Sequence, residues 1–388
     1  MNYKEFNLII IVLNIVLIFS ILYQVKHFIK LVHNEEFEQK TSITSTNDFT
    51  KKLPRKSPPI PDYKKYIIFE QGYNGWADRV KGIVTTYALA QLTNRVFLIH
   101  MTEPCNITDY LLPNEINWNQ NINELIENGK LPKNFTSLKY LNQNYGKYKA
   151  YNMTDVYEII VYYKNIDVIY FSINDNWLFY FSGETIFHNK VRQLGYEPPQ
   201  FEISFVLKSW LAKLFKFSPK LQEEYNKYLP LLKPNKNTTL ICTQIRTHDD
   251  KSKKNSSVAV LYWDFIKKHY IKNLNTDYRI FVTSDFNKIE IETQQHFGKD
   301  KVVFTTNYDQ NDSVHFLLIK SCDKEIKFIL DFFILSNCDL ALIGYGEYGK
   351  TALYNRDYPK SNNFNYMNQS MPTDFYLNML GAVGPKLN

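Results

Sequence analysis

The sequence predicts an α/β protein with two Rossmann-like domains that face each other, preceded by a single N-terminal transmembrane helix. Three observations support this prediction. Strand-like and helix-like segments alternate along the chain. Two such series are separated by a Pro- and Asn-rich interruption, "LLKPNKNTT", at residues 231–239. A mostly apolar run of 20 residues stands near the start of the 388-residue chain.

The apolar run, "FNLIIIVLNIVLIFSILYQV" at residues 6–25, is long enough to span a bilayer as a helix. It lacks the small-residue exit of a cleaved signal peptide, which favours an uncleaved signal-anchor. Residues 1–5 would then form a cytosolic tail, and residues 26–62, which end in "KKLPRKSPPIPD", a stiff stem. By analogy with Golgi-type enzymes, we expect a single-pass type II protein of the Golgi or ER membrane with its folded body in the lumen.

The cysteines leave several arrangements open. Cys105, Cys242, Cys322 and Cys338 permit three pairings, and none has the spacing of a zinc site. Cys242 and Cys338 lie in strand-like apolar runs, where a buried free thiol is as compatible with the pattern as a disulfide. Glycosylation sequons favour a luminal body and occur at Asn106, Asn134, Asn152, Asn237, Asn255, Asn311 and Asn368.

The first series predicts the N-terminal domain, residues 63–234. The segments "YIIFEQG", "DRVKGIVTTYALAQLTN" and "RVFLIHM" form a βαβ unit. Further on, "EIIVYYKNIDVIYFSINDNWLFYFS" is aromatic and strand-like. The amphipathic pattern of "SFVLKSWLAKLFKF" predicts a helix that packs on the core of its own domain.

The second series predicts the C-terminal domain, residues 235–388. It repeats the alternation in "TLICTQI", "LYWDFIKKHYIKNL", "YRIFVTSD", "VVFTT", "FILDFFILSNC" and "DLALIG". Parallel strands linked by helices bring polar groups at their carboxyl ends to one edge of the sheet, where α/β proteins bind ligands.

Polar groups follow three predicted strands of this domain. Arg246 follows "TLICTQI", Asp285 ends "FVTSD", and a glycine-rich loop with Lys350 follows "DLALI". An arginine there can hold two phosphate oxygens, and glycines let backbone N–H groups approach a phosphate. The alternative for Arg246 is a surface ion pair with Asp249 or Asp250, and a single glycine loop is often only a turn. The loop "GYNGWADRVKG" adds a similar feature in the first domain.

Four of these stretches resemble a known family. "GYNGWADRVKGIVTTYALAQLTNRVFLIH" is similar to the first glycine loop and helix of the GDP-fucose-dependent fucosyltransferases of the GT-B type, which include α1,2-, α1,6- and protein O-fucosyltransferases. "QIRTHDD", "VTSDF" and "DFFILSNCDLALIGYGEYGKTA" resemble the first, second and third nucleotide-binding motifs of that superfamily. The resemblance spans residues 66 to 355 but is dense only in these stretches.

The resemblance implies an inverting enzyme that moves fucose from GDP-fucose to a glycan or protein hydroxyl. It assigns Arg246 as the catalytic residue, which contacts the β-phosphate and neutralises charge as GDP leaves. Asp285 would hold the guanosine end, and residues 346–350 would wrap the pyrophosphate. The full set of expected donor-binding residues is Gly75, Asp78, Arg79, Gln244, Arg246, Thr283, Asp285, Gly346, Tyr348, Gly349 and Lys350.

No metal and no cofactor other than the donor substrate are expected. The chain contains no Asp-x-Asp sequence, so the usual metal-holding carboxylate pair is absent and a cationic side chain must take its place. The net charge of +7 includes no basic run, so we expect no nucleic-acid partner. The expected partners are GDP-fucose, a glycan or glycoprotein acceptor, and the membrane through the N-terminal helix.

Two positions depart from the family pattern. Gln244 stands where histidine is common, and Gly346 where a serine often meets the phosphate. These changes predict weaker donor binding, and they motivate an alternative, an inactive nucleotide- or glycan-binding protein of the same fold. A sulfotransferase is disfavoured because no P-loop-like phosphate motif is present. The general base is left open among Glu70, Asp78, Asp249 and Glu347.

Overall fold

The computed structural model describes residues 64–72, 75–141, 162–247, 256–305, 322–344, 346–356 and 364–366. The chain divides into two compact units, Met1–Pro61 and Asp62–Asn388. The predicted tail, signal-anchor and stem lie outside the described residues. Within the described ranges, no helix is long and apolar enough to cross a bilayer.

The first series of elements builds a four-stranded parallel sheet. Its order is β2–β1–β5–β4, and every neighbouring pair runs parallel. The side chains of the central strand β1 are almost wholly buried because helices and neighbouring strands cover both faces. The strands of the first series are β1 (Tyr66–Glu70), β2 (Val96–His100), β3 (Leu111–Pro113), β4 (Ser137–Leu141), β5 (Val168–Ser172) and β6 (Phe215–Phe217). Strands β3 and β6 form a separate antiparallel pair.

In the described part of the first series, six α-helices accompany these strands. They are α1 (Trp76–Leu92), α2 (Ile122–Glu127), α3 (Leu178–Gly183), α4 (Thr185–Gln193), α5 (Ile203–Leu214) and α6 (Pro219–Leu232). Helix α1 connects β1 to β2, so the predicted βαβ unit is present. Gly82 lies where α1 crosses the sheet, and a Cβ there would collide with the carbonyl oxygen of Ile173 and the ring of Phe69. The glycine therefore lets α1 pack closely over β1 and β5.

The second series builds a five-stranded parallel sheet in the order β9–β8–β7–β10–β11. Its strands are β7 (Thr239–Ile245), β8 (Tyr278–Ser284), β9 (Val302–Val303), β10 (Leu340–Ile343) and β11 (Phe364–Tyr366). Its helices are α7 (Val258–Phe265), α8 (Asn287–Phe297), α9 (Cys322–Leu335) and α10 (Glu347–Tyr354). When these five strands are numbered 1 to 5 by their place in the chain, their order across the sheet is 3-2-1-4-5, which is typical of a Rossmann fold. The strand order reverses between β7 and β10. The predicted mixed α/β class with parallel sheets is confirmed.

One hydrophobic core joins the two series. A single cluster of buried side chains includes residues of β1, α1 and α5 together with residues of β7, α9 and α10. A second cluster lies between the other face of the second sheet and α7. Helix α5 packs on α1 of its own series, as predicted, and it also contacts α10 of the second series. Its buried residues form a stripe wide enough to serve both neighbours.

Two segments depart locally from the predicted elements. The aromatic run that ends in "NWLFYFS" is strand-like in sequence, but within its described part, residues 162–182, only β5 is a strand, and residues 178–183 form α3. The Asn176 side chain accepts a hydrogen bond from the Leu178 N–H (3.1 Å), and this turn starts the helix despite the β propensity of the aromatic residues. The predicted helix over "LYWDFIKKHYIKNL" is present as α7, which continues through a π-helical turn, Ile266–Tyr270, into a 3-10 turn.

The disulfides resolve the pairing that the sequence left open. Cys242 in β7 is joined to Cys338, which precedes β10, within the second series. Cys105, which follows β2, is joined to Cys322 at the start of α9, so this bond links the two series. The Tyr110 hydroxyl also donates to the Cys322 carbonyl (2.8 Å).

Candidate functional site

Arg246 and Gly346 lie at the same edge of the second sheet. Gln244 of β7 is in register with Ile343 of β10, and both chains leave the sheet directly afterwards. The strand order reverses between these two strands, which is where doubly wound sheets form a crevice. Arg246 and the glycine loop therefore lie side by side at the place where doubly wound sheets form their ligand crevice.

The Arg246 side chain lies against the backbone of Gly346. A Cβ at residue 346 would stand 2.6 Å from Nη1 of Arg246 and 3.7 Å from Cζ, so a larger residue would displace the guanidinium. Gly346 also has φ 108° and ψ 169°, a conformation that is essentially reserved for glycine. It caps the N-terminus of α10, whose unpaired N–H groups carry partial positive charge. A cation beside a helix N-terminus makes this corner of the crevice suited to an anion.

Gln244 fills the space between β7 and α10. Its side chain is buried, and its amide oxygen would lie 3.0 Å from a Cβ at Gly349. Among the described residues this oxygen has no hydrogen-bond partner. At the neighbouring turn, Gly344 donates its N–H to the carbonyl of Gln244 (2.8 Å), which ties β10 to β7 just before both chains diverge.

Asp285 joins the end of β8 to the end of β7. Its Oδ1 accepts hydrogen bonds from the backbone N–H (2.9 Å) and the hydroxyl (3.1 Å) of Thr247. The carboxylate is thus fixed directly beside the residue that follows Arg246. Thr247 was not singled out in the sequence, although a hydroxyl next to the motif arginine is the signal that identifies it.

Thr283 points into the protein rather than into the crevice. Its hydroxyl donates to Oδ2 of Asp331 in α9 (2.6 Å). Asp331 also accepts from Lys327 (2.9 Å), which in turn donates to Glu290 (3.1 Å), and all four side chains are buried. This network lies beneath the predicted site and was missed in the sequence, because its charged members are dispersed along amphipathic helices.

The network shifts the pKa values of its members. Burial raises the pKa of Glu290 to about 7, although the nearby Lys327 charge opposes the shift. Burial alone lowers the pKa of Lys327, but the charges of Asp331 and Glu290 outweigh it and raise the pKa above its ordinary value. Lys327 is therefore a permanent buried cation at neutral pH.

In the first series, the predicted site residues are grouped at the start of α1. Gly75 immediately precedes the helix, and Asp78 forms an ion pair with Lys81 (2.9 Å). Arg79 is buried and pairs with Glu325 of α9 (2.6 Å) while donating to the carbonyl of Glu103 (3.2 Å). Burial raises the pKa of Glu325 to about 7 despite the Arg79 charge. Arg79 thus connects the two series.

The remaining predicted residues lie on α10. The Tyr348 hydroxyl donates to the Phe328 carbonyl (2.5 Å), and burial raises the pKa of Tyr348. Its ring packs on Phe332, which also contacts the ring of Trp76 at the start of α1 (centroid distances 6.1 and 6.3 Å). Helix α1 follows the first predicted glycine loop and α10 follows the last one, and both helices therefore contact the Phe332 side chain. Lys350 is partly exposed, with its Nζ 3.7 Å from a carboxylate oxygen of Glu347.

The candidate bases differ in their surroundings. Glu70 pairs with Lys139 (2.8 Å) and Asp78 with Lys81, whereas within the described part of the chain the ion pair of Glu347 is the more distant one with Lys350. Asp249 lies outside the described residues. Glu347 also lines a cleft of about 380 Å³ between α10 and elements of the first series. The other residues that line it are Lys81, Asp175, Asn176, Phe179, Glu202, Ile203, Ser204, Lys350, Thr351 and Tyr354.

Comparison with known proteins gives matches in structure and not in sequence. No family matches the chain by sequence, and no curated protein does either. Among solved structures, a mutant of Arabidopsis thaliana FUT1 in complex with GDP superposes with a TM-score of 0.55 at 10% identity, covering 88% of this chain and 75% of that one. The two proteins share a fold. The GT-B type of fold that the sequence motifs indicated is thereby confirmed.

Two further solved structures match less closely. The fucosyltransferase NodZ from Bradyrhizobium has a TM-score of 0.44 at 9% identity, covering 74% of this chain and 92% of that one. POFUT1 in complex with GDP-fucose has a TM-score of 0.42 at 11% identity, covering 80% of this chain and 99% of that one.

Proposed function

We propose that this protein is a glycosyltransferase that moves fucose from GDP-fucose to a hydroxyl group of a glycan or protein, with inversion at the sugar carbon. The observation that carries the proposal is the contact between Arg246 and Gly346 at the reversal of strand order, with Asp285 held at the adjacent strand end. This protein shares its fold with a plant protein that was crystallised with GDP, which supports a guanine nucleotide as the ligand.

The chemistry of the crevice fits the departure of a nucleoside diphosphate. Breaking the bond between fucose and phosphate places negative charge on the leaving oxygen. The Arg246 guanidinium lies beside the start of α10, and we assign it and the N–H groups there to stabilise that charge. We assign Asp285, held by Thr247 at the adjacent strand end, to the guanosine part of the donor. Gly346 contributes its backbone, so the absence of a serine at this position removes one hydroxyl contact and leaves the main charge stabilisation in place.

We propose that the reaction requires no metal ion or other cofactor. The support comes from the sequence, which lacks an Asp-x-Asp pair, and from the cation Arg246 beside the start of α10, to which we assign the stabilisation of the leaving group. The one cluster of metal-ligand side chains among the described residues is Cys105, Asp109 and Cys322. Its two cysteines are joined in a disulfide and offer no thiolate.

For the acceptor, we propose the cleft beside α10. Phe179 is 62% exposed there, and an exposed aromatic ring can pack against the C–H face of a sugar. Asn176, Glu202 and Ser204 offer groups that can bind sugar hydroxyls. Glu347 lines this cleft and directly follows Gly346, so we assign it as the general base that takes the proton of the acceptor hydroxyl.

We propose a type II membrane protein whose folded body faces the lumen of the Golgi or ER. The pairing of all four cysteines in disulfides supports an oxidising compartment. The membrane-spanning role of residues 6–25 rests on the sequence alone.

The test is calorimetric titration of the full-length protein in detergent with GDP, GDP-fucose, UDP and 3′-phosphoadenosine-5′-phosphate, with and without EDTA. Binding restricted to the guanine ligands and insensitive to EDTA, together with fucose transfer to at least one member of an acceptor panel, is the expected result. Guanine binding without turnover would favour the inactive binding protein. Binding of another nucleotide, or of none, would contradict the proposed donor.

A further inference from the structure

We propose that Lys327 is a positioning residue, which acts through buried hydrogen bonds to hold Arg246 and Asp285 in register for the donor. The inference rests on the proposed function, since it concerns how the same crevice is kept in its binding geometry. Lys327 itself is 5% exposed and lies in α9, where it contacts other protein groups.

The network around Lys327 reaches three structural elements. Its ammonium group donates to Asp331 Oδ2 one turn later in α9 (2.9 Å), to Glu290 Oε1 in α8 (3.1 Å) and to the Thr305 hydroxyl after β9 (3.0 Å). Thr305 also donates to the other oxygen of Asp331. The three donor protons of Lys327 therefore each have a partner, and the group ties α8, α9 and the end of β9 together.

Both carboxylates of the network bind the carboxyl end of β8. Asp331 accepts the hydroxyl of Thr283 (2.6 Å), and Glu290 accepts the backbone N–H of Ser284 (3.1 Å). These are the two residues that immediately precede Asp285. The position of Asp285 is thus set by two consecutive hydrogen bonds to groups that Lys327 holds in place.

The same strand end holds Arg246 from both sides. The Ser284 hydroxyl donates to the Ile245 carbonyl (2.7 Å), and Thr247 donates to Asp285. Arg246 lies between Ile245 and Thr247, so each of its chain neighbours is bonded to the end of β8. A shift of β8 would move the guanidinium with it, and a sub-ångström displacement is enough to weaken a bidentate phosphate contact.

Stability alone is a poor explanation for this arrangement. Burying ionisable groups such as these carries a large desolvation cost, and well-packed apolar residues often serve a core equally well. The Lys327 network lies beneath the strand ends that carry the site, and both of its contacts with β8 fall within two residues of Asp285. This location fits the positioning of a site better than the general stabilisation of a fold.

The test compares Lys327→Met with Lys227→Met in the full-length protein. Lys227 is a matched control, because it too lies on a helix and pairs with two carboxylates, Glu223 and Glu224, but it is exposed. GDP affinity and the KM and kcat for GDP-fucose are measured at a temperature where circular dichroism shows each variant folded. For Lys327→Met we expect GDP binding to weaken by about tenfold, with KM raised and kcat lowered, and for Lys227→Met no change.

A second variant covers the case in which Lys327→Met does not fold. Thr283→Val is nearly isosteric and removes one of the two hydrogen bonds between the network and the end of β8, the one to Asp331, while Lys327 keeps all its partners. We expect it to weaken GDP binding several-fold while the unfolding midpoint changes little. Unchanged GDP affinity in a folded Lys327→Met, or in Thr283→Val, would overturn the positioning role while the proposed function stands. A wild-type protein that fails to bind GDP would overturn both.

Discussion

At the residue scale, the candidate site depends on the contact between one arginine and one glycine. Arg246 is brought against Gly346 because β7 and β10 end side by side, and only a residue without a Cβ leaves room for the guanidinium. The Cβ of the serine in the family pattern would stand 2.6 Å from Arg246 Nη1, so the guanidinium would have to move away. The glycine at residue 346 thus leaves space for the Arg246 guanidinium in this chain. The absence of a serine at this position is therefore weak support for the inactive-protein alternative.

Gly346→Ala tests the need for this space. The added Cβ would come within 2.6 Å of Arg246 Nη1, so we expect GDP binding to weaken by at least about tenfold. The strained backbone also costs about 1–3 kcal/mol of unfolding free energy. Gly298→Ala is the control, because Gly298 has a similar φ of 101° but faces only the flexible carboxylate of Asp300. Titration calorimetry and urea unfolding should show both variants destabilised and only Gly346→Ala impaired in binding.

Arg246→Lys tests the charge and the geometry of the arginine separately. Lysine keeps the positive charge but loses the planar fork that holds two oxygens, so kcat/KM for GDP-fucose should fall by about 100-fold with little loss of stability. Arg279→Lys, at an ion pair with Asp277 (2.8 Å) at the opposite end of the sheet, should leave the kinetics unchanged. Wild-type kinetics in Arg246→Lys would remove Arg246 from the catalytic role.

The sequence locates some of these residues and not others, for a physical reason. Arg246, Asp285 and Gly346 each follow an apolar strand, so the topology of a parallel sheet already predicts that they share an edge. Lys327 and Glu290 lie on amphipathic helices, where the sequence pattern does not distinguish a buried charged residue from an exposed one. Only the packing of α8 and α9 against the ends of β8 and β9 shows that these charges are buried and paired.

At the element scale, α5 is the support for the helices that frame the site. It contacts α1, which begins at the first glycine loop, and α10, which begins at Gly346. The amphipathic pattern predicted this helix correctly. Its contact with α10 could not be predicted, because an apolar stripe indicates how much helix surface is buried but not which element packs against it.

Trp210→Ala should loosen this support. Trp210 is 1% exposed and packs edge-on against Tyr87 of α1, with ring centroids 5.1 Å apart, and against Phe201. The cavity should lower the free energy of unfolding by about 3–5 kcal/mol. Lys213→Ala, at an exposed position of the same helix, should change it by less than about 0.5 kcal/mol. Denaturant titrations measure both, and equal effects would show that α5 is not packed as described.

At the scale of the whole molecule, covalent and ionic links join the two series around one end of α9. The Cys105–Cys322 disulfide and the Tyr110 hydrogen bond hold the first residue of the helix, and the buried Arg79–Glu325 pair lies one turn further on. These links were not foreseen as a group, since Arg79 was expected to bind the donor and the cysteine pairing was open. Together with the continuous core, these links hold α9 against α1. The positions of the helices beside the crevice therefore depend on this packing.

The Arg79–Glu325 pair makes a prediction about pH. Glu325 has a pKa of about 7 because it is buried, and among the described residues its Oε2 has no hydrogen-bond partner, while Arg79 is the charge that opposes the shift. Between pH 4.5 and 7 the folded protein therefore holds a proton that the unfolded chain has released. Stability contributed by this group is present at low pH and is lost as the pH rises through that window.

Glu325→Gln should remove this part of the pH dependence, because glutamine accepts the Arg79 hydrogen bond without titrating. Urea unfolding at pH 5, 6, 7 and 8 should show stability falling with pH in the wild type and falling less steeply in the variant. Glu290 supplies a similar decline in both proteins, so the slope should be reduced and not abolished. Glu224→Gln, at an exposed pair on α6, should match the wild type. Identical slopes in Glu325→Gln and the wild type would mean that Arg79 keeps Glu325 ionised across this range, and the link between the two series would then be a fully charged ion pair at every pH tested.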